Sequence, residues 1–135
     1  MRWSEQLPQK GDMIRVKVKF YYHYGIYADD STVIQFGLPD NTGIEPEEIA
    51  VLVTDMDGFR LGGSPETAVL ERSERSRSRK PQAVVDYALS QVGRKGYHIL
   101  QNNCEHFVHE CVFGTADSPQ VQSIREKLRA KLGKR

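Results

Sequence analysis

The chain has 135 residues, 39% hydrophobic and 27% charged, with a formal net charge of +1. That is room for about one domain with a modest core, and no overall charge that would favour nucleic acid. No apolar run reaches the roughly 20 residues of a membrane-spanning helix, and the N-terminus lacks a signal-peptide pattern, so a cytoplasmic protein is expected.

Gln9-Lys10-Gly11-Asp12 reads as a turn into a strand. Ile14, Val16, Val18 and Phe20 alternate with Arg15, Lys17 and Lys19, the period of a half-buried strand. Tyr21 to Tyr27 is rich in strand-favouring residues, Ala28-Asp29-Asp30-Ser31 is a turn, and Thr32 to Phe36 returns, giving an antiparallel hairpin. Residues 37–48 read as loop, Ile49 to Val53 as a strand, and the segment around Phe59 as a further strand. Glu66 to Glu74 is ambiguous. Ser73 to Lys80 interleaves basic residues with serines and reads as a solvated connector.

Pro81 opens a helix whose apolar positions are Val84, Val85, Ala88, Leu89 and Val92, with Gly93 as its stop. Tyr97 to Leu100 is a short link or strand. Another helix starts at Cys104, capped by Asn102 or Asn103 and ended by Gly114. A last helix spans about 118–132, with Pro119 at its first position and Val121, Ile124, Leu128 and Leu132 as a narrow stripe. Strands first and helices after predict an α+β domain, with helices on one side of an antiparallel sheet.

The two cysteines, Cys104 and Cys111, lie seven residues apart on one helix, roughly 10 Å, which is too far for a disulfide. A reducing compartment follows. Neither cysteine has the spacing of a zinc site, and no metal or other cofactor is expected. Cys104 is the informative one. A thiol in the first turn of a helix sits near unpaired backbone N–H groups and the positive end of the dipole, which favour the nucleophilic thiolate.

Four histidines could supply its base. His106 and His109 are two and five residues along the same helix and point to other faces. His98 stands just before the helix. His23 lies in mid-strand, and with Asp29 at the loop centre it falls opposite Gln35. A glutamine amide there could fix the imidazole tautomer and leave the other nitrogen for the thiol. That is the nucleophile, base and orienter set of a cysteine triad. The spacing alone equally allows a satisfied core histidine and a cysteine acting as a small hydrophobe.

Asn103-Cys104-Glu105-His106-Phe107, ending in Gly114, resembles the signature of the LRAT-like family, and His23-Tyr24-Gly25-Ile26-Tyr27 is similar to its histidine strand. Lys10-Gly11-Asp12 and Asp117-Ser118-Pro119-Gln120-Val121 resemble two further segments, so the likeness runs from about Pro8 to Val121. It implies a single LRAT-like domain over 1–135, with a core at about 8–121 and a basic C-terminal helix at about 118–132. It implies a circularly permuted papain-like fold and acyl transfer from a phospholipid or other acyl ester through a cysteine thioester. Carried over by position, Cys104 is the nucleophile, His23 the base and Gln35 the orienter, where vertebrate members commonly carry a second histidine. Tyr21 and Asn103 fall near the site as carbonyl-polarising or positioning residues. A cell-wall-type peptidase or amidase, or a non-catalytic binding module, would keep the same fold. The vertebrate phospholipases continue into an apolar anchor, whereas Ser123 to Arg135 carries six basic residues against Glu126. That segment is expected to lie on an anionic membrane surface or to pack as an ordinary surface helix.

Overall fold

The computed structural model describes residues 1–41, 43–98 and 103–114. Six strands form one antiparallel sheet: β1 (Arg2–Ser4), β2 (Met13–Val18), β3 (Tyr21–Asp29), β4 (Thr32–Phe36), β5 (Val51–Thr54) and β6 (Glu66–Val69), in the spatial order β1-β6-β2-β3-β4-β5. Among the described residues four α-helices accompany it: α1 (Met56–Arg60), α2 (Arg72–Arg77), α3 (Pro81–Ser90) and α4 (Cys104–Phe113). The expected α+β class is what forms. The proposed last helix, the alternative cap Asn102, and Ile99 and Leu100 lie outside the described residues. No helix among the described residues is long and apolar enough to cross a membrane.

Both faces of the sheet are covered, a correction to helices on one side only. Met13, Ile26, Ile34 and Phe36 meet Val84 and Ala88 of α3 and Phe107, Val108 and Cys111 of α4. Ile14, Val16 and Val33 form a second cluster with Phe59 on the opposite face. Phe59 belongs to a helix, not to the expected strand. Asp55 is its N-cap, accepting from the Gly58 N–H at 2.7 Å, and Leu61 ends it in the left-handed region at φ 44°.

The serine and arginine connector is also partly helical. Glu71 and Glu74 close a reciprocal capping box that starts α2, and Glu74 is buried. Arg79, just beyond α2, holds the C-terminus of α4. Its Nη1 donates to the Glu110 and Cys111 carbonyls at 3.0 and 2.9 Å, and its backbone N–H donates to Val112 O at 2.7 Å. Its guanidinium also lies 4.1 Å from the Tyr87 ring centroid. The Cys111 and Val112 carbonyls are among those that a helix end leaves without partners, whereas Glu110 O also accepts from the Gly114 N–H at 2.8 Å. Arg79→Ala is therefore expected to cost about 1–3 kcal/mol, read as a lower urea midpoint with unchanged m-value. Arg79→Lys should recover only part, because an ammonium cannot fork across two carbonyls and stack on a ring together.

On α3, Val84, Val85 and Ala88 are buried as expected, whereas Leu89 and Val92 are exposed. The helix ends at Ser90, so Val92 leaves the periodic face. The strand expected to run to Phe20 stops at Val18. Lys19 turns the chain at φ 54°, and Phe20 projects from the hairpin at 99% exposure.

Candidate active site

The β3–β4 register differs from the expected one. Gly25, not His23, faces Gln35, and the pairing shifts between Tyr27 and Asp29. The turn falls at Asp30 and Ser31, beyond the expected loop centre, and the irregularity takes back one position, so the pairing is offset by two residues. Two residues preserve the face, so His23 and Gln35 stay on the same side as diagonal neighbours. The glutamine side chain spans the diagonal, and its Oε1 accepts from His23 Nε2 at 2.7 Å. Both side chains are buried, at 2% and 0% exposure. The His23 ring also packs on Phe59, with centroids 5.3 Å apart. An amide oxygen only accepts, so the proton sits on Nε2 and the free lone pair on Nδ1. The amide nitrogen of Gln35 is buried and has no hydrogen-bond partner among the described residues.

Cys104 reaches the sheet through a gap in it. Tyr27 bonds towards β2, through Gly11 N–H to Tyr27 O at 2.8 Å and Tyr27 N–H to Asp12 O at 3.0 Å. Antiparallel alternation then aims the backbone of Tyr22 and Tyr24 towards the β4 side. There β4 has already ended its pairing at Gln35, and the start of α4 fills the space, with the Tyr24 N–H on the Cys104 thiol. Asn103 is the N-cap, its side-chain oxygen accepting from Glu105 and His106 N–H at 3.0 and 3.1 Å.

His23 and Cys104 line the same cleft, with a volume of about 540 Å³. Its walls are mainly aromatic and aliphatic: Tyr21, Tyr22, Tyr24, Tyr97, Leu38 and Ile49, with Asn41, Asn103 and Glu105 as the polar members. The Tyr21 hydroxyl donates to Pro39 O at 2.9 Å, tying β3 to the loop after β4. Burial pushes its pKa up, and Asp40 and Cys104 add to the shift. Tyr97 was not expected here. Its pKa is pushed up to about 12, by burial first and then by Cys104 beside it in the cleft. Its ring meets the edge of Phe36 at 5.3 Å. Tyr97 precedes Cys104 by seven residues in a segment read as a link, and no local pattern marks it.

The other histidines stand apart from the cleft lining. His98 is exposed, and His106 is partly buried. His109 is buried at 3%, 6.1 Å from Phe113 between ring centroids.

The electrostatics differ from a thiolate primed by its helix. Burial pushes the Cys104 thiol up, with Glu105 adding to the shift, and this outweighs the N–H groups of Tyr24, Cys104 and Glu105 that favour the charged form. Burial also lowers His23 to about 4, with the Gln35 hydrogen bond opposing it only in part. At neutral pH the site therefore holds a neutral thiol and a neutral imidazole. Such a pair requires proton transfer as the sulfur attacks.

Residues 6–117 match the family model described as Lecithin retinol acyltransferase. The lecithin retinol acyltransferase of Rattus norvegicus is 28% identical over 141 residues, covering 89% of this chain and 61% of that protein. Phospholipase A and acyltransferase 3 of Homo sapiens is 29% identical, covering 87% of this chain and 78% of its own. Phospholipase A and acyltransferase 4 of Homo sapiens is 27% identical, with 93% and 82% covered. The chain thus spans 61% of the length of the rat and bovine lecithin retinol acyltransferases it matches.

Proposed function

The chain belongs to the lecithin retinol acyltransferase family, and from that premise we propose that it is a cysteine-dependent acyltransferase or hydrolase of phospholipid acyl esters, acting as a single domain. The observation that carries this reading is the cleft, where Cys104 and His23 share an aromatic and aliphatic wall. Such a wall suits an acyl chain, whereas a peptide would leave its backbone polar groups without partners. The names of the relatives, phospholipase A and acyltransferase among them, point the same way.

In the proposed reaction the acyl carbonyl carbon lies against Cys104 Sγ. His23 Nδ1 takes the thiol proton as the S–C bond forms, and Gln35 holds the ring through Nε2. The carbonyl oxygen becomes an oxyanion beside the N–H groups at the start of α4, where the Cys104 N–H is not among those capped by Asn103. The tetrahedral centre collapses, the C–O bond to the lysophospholipid breaks, and His23 returns the proton to the departing alkoxide. A thioester remains. Water or an amine then attacks it, giving a proton to His23, and the thiol is regenerated.

The test is mass spectrometry after incubation with a short-chain diacyl phosphatidylcholine below its micellar concentration. An acyl adduct on the tryptic peptide of Cys104 is expected. An adduct formed only from peptide or amide probes would assign the cleft to an amidase and overturn the lipid reading.

A further inference from the structure

Beside the cleft, the fold leaves an apolar side chain with nothing to pack on. Phe20 stands at the tip of the β2–β3 hairpin with 99% of its surface exposed, and Tyr21 follows at 50%. Tyr21 lines two depressions at once: the cleft of Cys104, and a neighbouring hollow of about 430 Å³ bordered by Lys17, Lys19, Arg60 and Leu61. Leu61 is 61% exposed, and Leu38, on the cleft side of Tyr21, is 39% exposed. Apolar groups and cations are thus gathered at the mouth of the cleft.

The backbone supports the same conclusion. Among the described residues only Lys19 and Leu61 are non-glycine positions with positive φ, at 54° and 44°. Both border this hollow. Left-handed backbone is unfavourable for side chains of this size, and glycine or asparagine would suit either turn better. Each strained residue presents an exposed apolar group, its own in Leu61 and that of Phe20 after Lys19. Folding gains nothing from either group, since neither is buried in the folded chain.

The charges select the partner. Arg60 is paired with Asp57 at 3.1 Å, and Asp40 also borders the hollow. Lys17 and Lys19 are exposed and form no ion pair with the described residues. Lysines flanking a lone aromatic ring suit an interface with an apolar interior and an anionic surface. The ring enters among the acyl chains while the ammonium groups stay at the headgroups. A protein partner would need a broader contiguous patch.

We propose that the β2–β3 hairpin tip is an interfacial wedge that seats the mouth of the cleft on an anionic lipid surface, with Phe20 as the inserted group and Lys17 and Lys19 as its electrostatic contacts. The inference rests on the reading of a phospholipid as substrate, and it supplies what that reading lacks: a way for a chain in the bilayer to meet Cys104. It places the contact on a different element from the basic segment after Ser123.

The test is flotation of the full chain, carrying Cys104→Ala so that no lipid is consumed, with vesicles of phosphatidylcholine alone or mixed with phosphatidylserine. Phe20→Ser is expected to lower partitioning on order tenfold, the effect of withdrawing one phenyl ring. Lys17→Glu with Lys19→Glu should lower it at least about tenfold on the mixed vesicles, with little change on phosphatidylcholine alone. Phe20→Trp should add quenching by brominated acyl chains beyond that of Trp3. Partitioning equal to the parent chain in both variants, or no partitioning of the parent chain, overturns the proposal. So does a concentration-dependent dimer in sedimentation that Phe20→Ser abolishes, which would give the patch to a second copy. Flotation involves no turnover, so its failure is separate from failure of the acyl adduct to form on Cys104 with a monomeric lipid.

Discussion

Cys104→Ala is expected to abolish the acyl adduct and to lower turnover of a short-chain phospholipid by about 10⁴-fold or more, the scale on which triad enzymes lose rate with their nucleophile. The fold should survive the change. Cys104 is buried at 7% exposure as a small side chain, and the helix start is held by Asn103 and not by the thiol. Cys104→Ser should be nearly as inactive, because a hydroxyl is far harder to deprotonate than a thiol. The same residue has a signature in the absence of substrate. Burial holds the thiol above its ordinary range, so alkylation by iodoacetamide should climb through alkaline pH and show no plateau at pH 6 to 7. Cys111 is also pushed up, by burial first and then by Glu110, and at 0% exposure it should stay unlabelled in the folded protein. An acyl adduct that persists in Cys104→Ala would place the nucleophile elsewhere, and fast alkylation at pH 6 would show that the site does not operate from a resting thiol.

The parts of this site that could be read in the residues were those with short-range signals. Asn103 before an apolar stripe and Gly114 after it bound α4. Period two marked β2 through Val18, and the polar pair His23 and Gln35 in otherwise apolar strands marked the buried hydrogen bond. What escaped depends on chain segments meeting in space or on single turns. The register of β3 on β4 turned on the exact place of the turn, at Asp30 and Ser31, and on an irregularity between Tyr27 and Asp29 that no residue pattern announces. Phe20 continued the alternation on paper, and only the left-handed turn at Lys19 took it out of the strand. Tyr97 belongs to the site because the sheet brings Phe36 beneath its ring, a contact 61 residues apart in the chain. The segment around Phe59 reads as a strand and forms a helix, and Asp55, three residues before Gly58, is the cap signal that marks it. A signal of the same kind marks α2, since Glu71 and Glu74 have the spacing of a capping box.

His23 carries the second large effect. His23→Ala should lower kcat/KM by about 10² to 10⁴, the usual contribution of a positioned base. The acid limb of the pH profile should lie near 4, not near the ordinary 6.5, because burial lowers His23 to about 4 and the imidazole stays in its base form above that pH. The same depression predicts a stability effect. Between pH 6.5 and about 4 the unfolded chain binds a proton at this residue that the folded chain does not, so stability falls as pH falls across that window. The full loss for this one group is about 3 kcal/mol, and the difference between wild type and His23→Gln in urea titrations at several pH values isolates it from the carboxylates. Gln35 divides stability from activity. Gln35→Leu deletes the buried amide nitrogen that has no partner and at the same time strips the acceptor from His23 Nε2. Those two changes oppose each other, so the urea midpoint should move little while activity falls at least about tenfold. Gln35→Glu keeps an acceptor and adds a negative charge, so His23 should hold its proton to higher pH and the acid limb should shift upward. Gln35→Leu at full activity would mean that His23 needs no orienter. An unmoved acid limb in Gln35→Glu would mean that the limb belongs to another group.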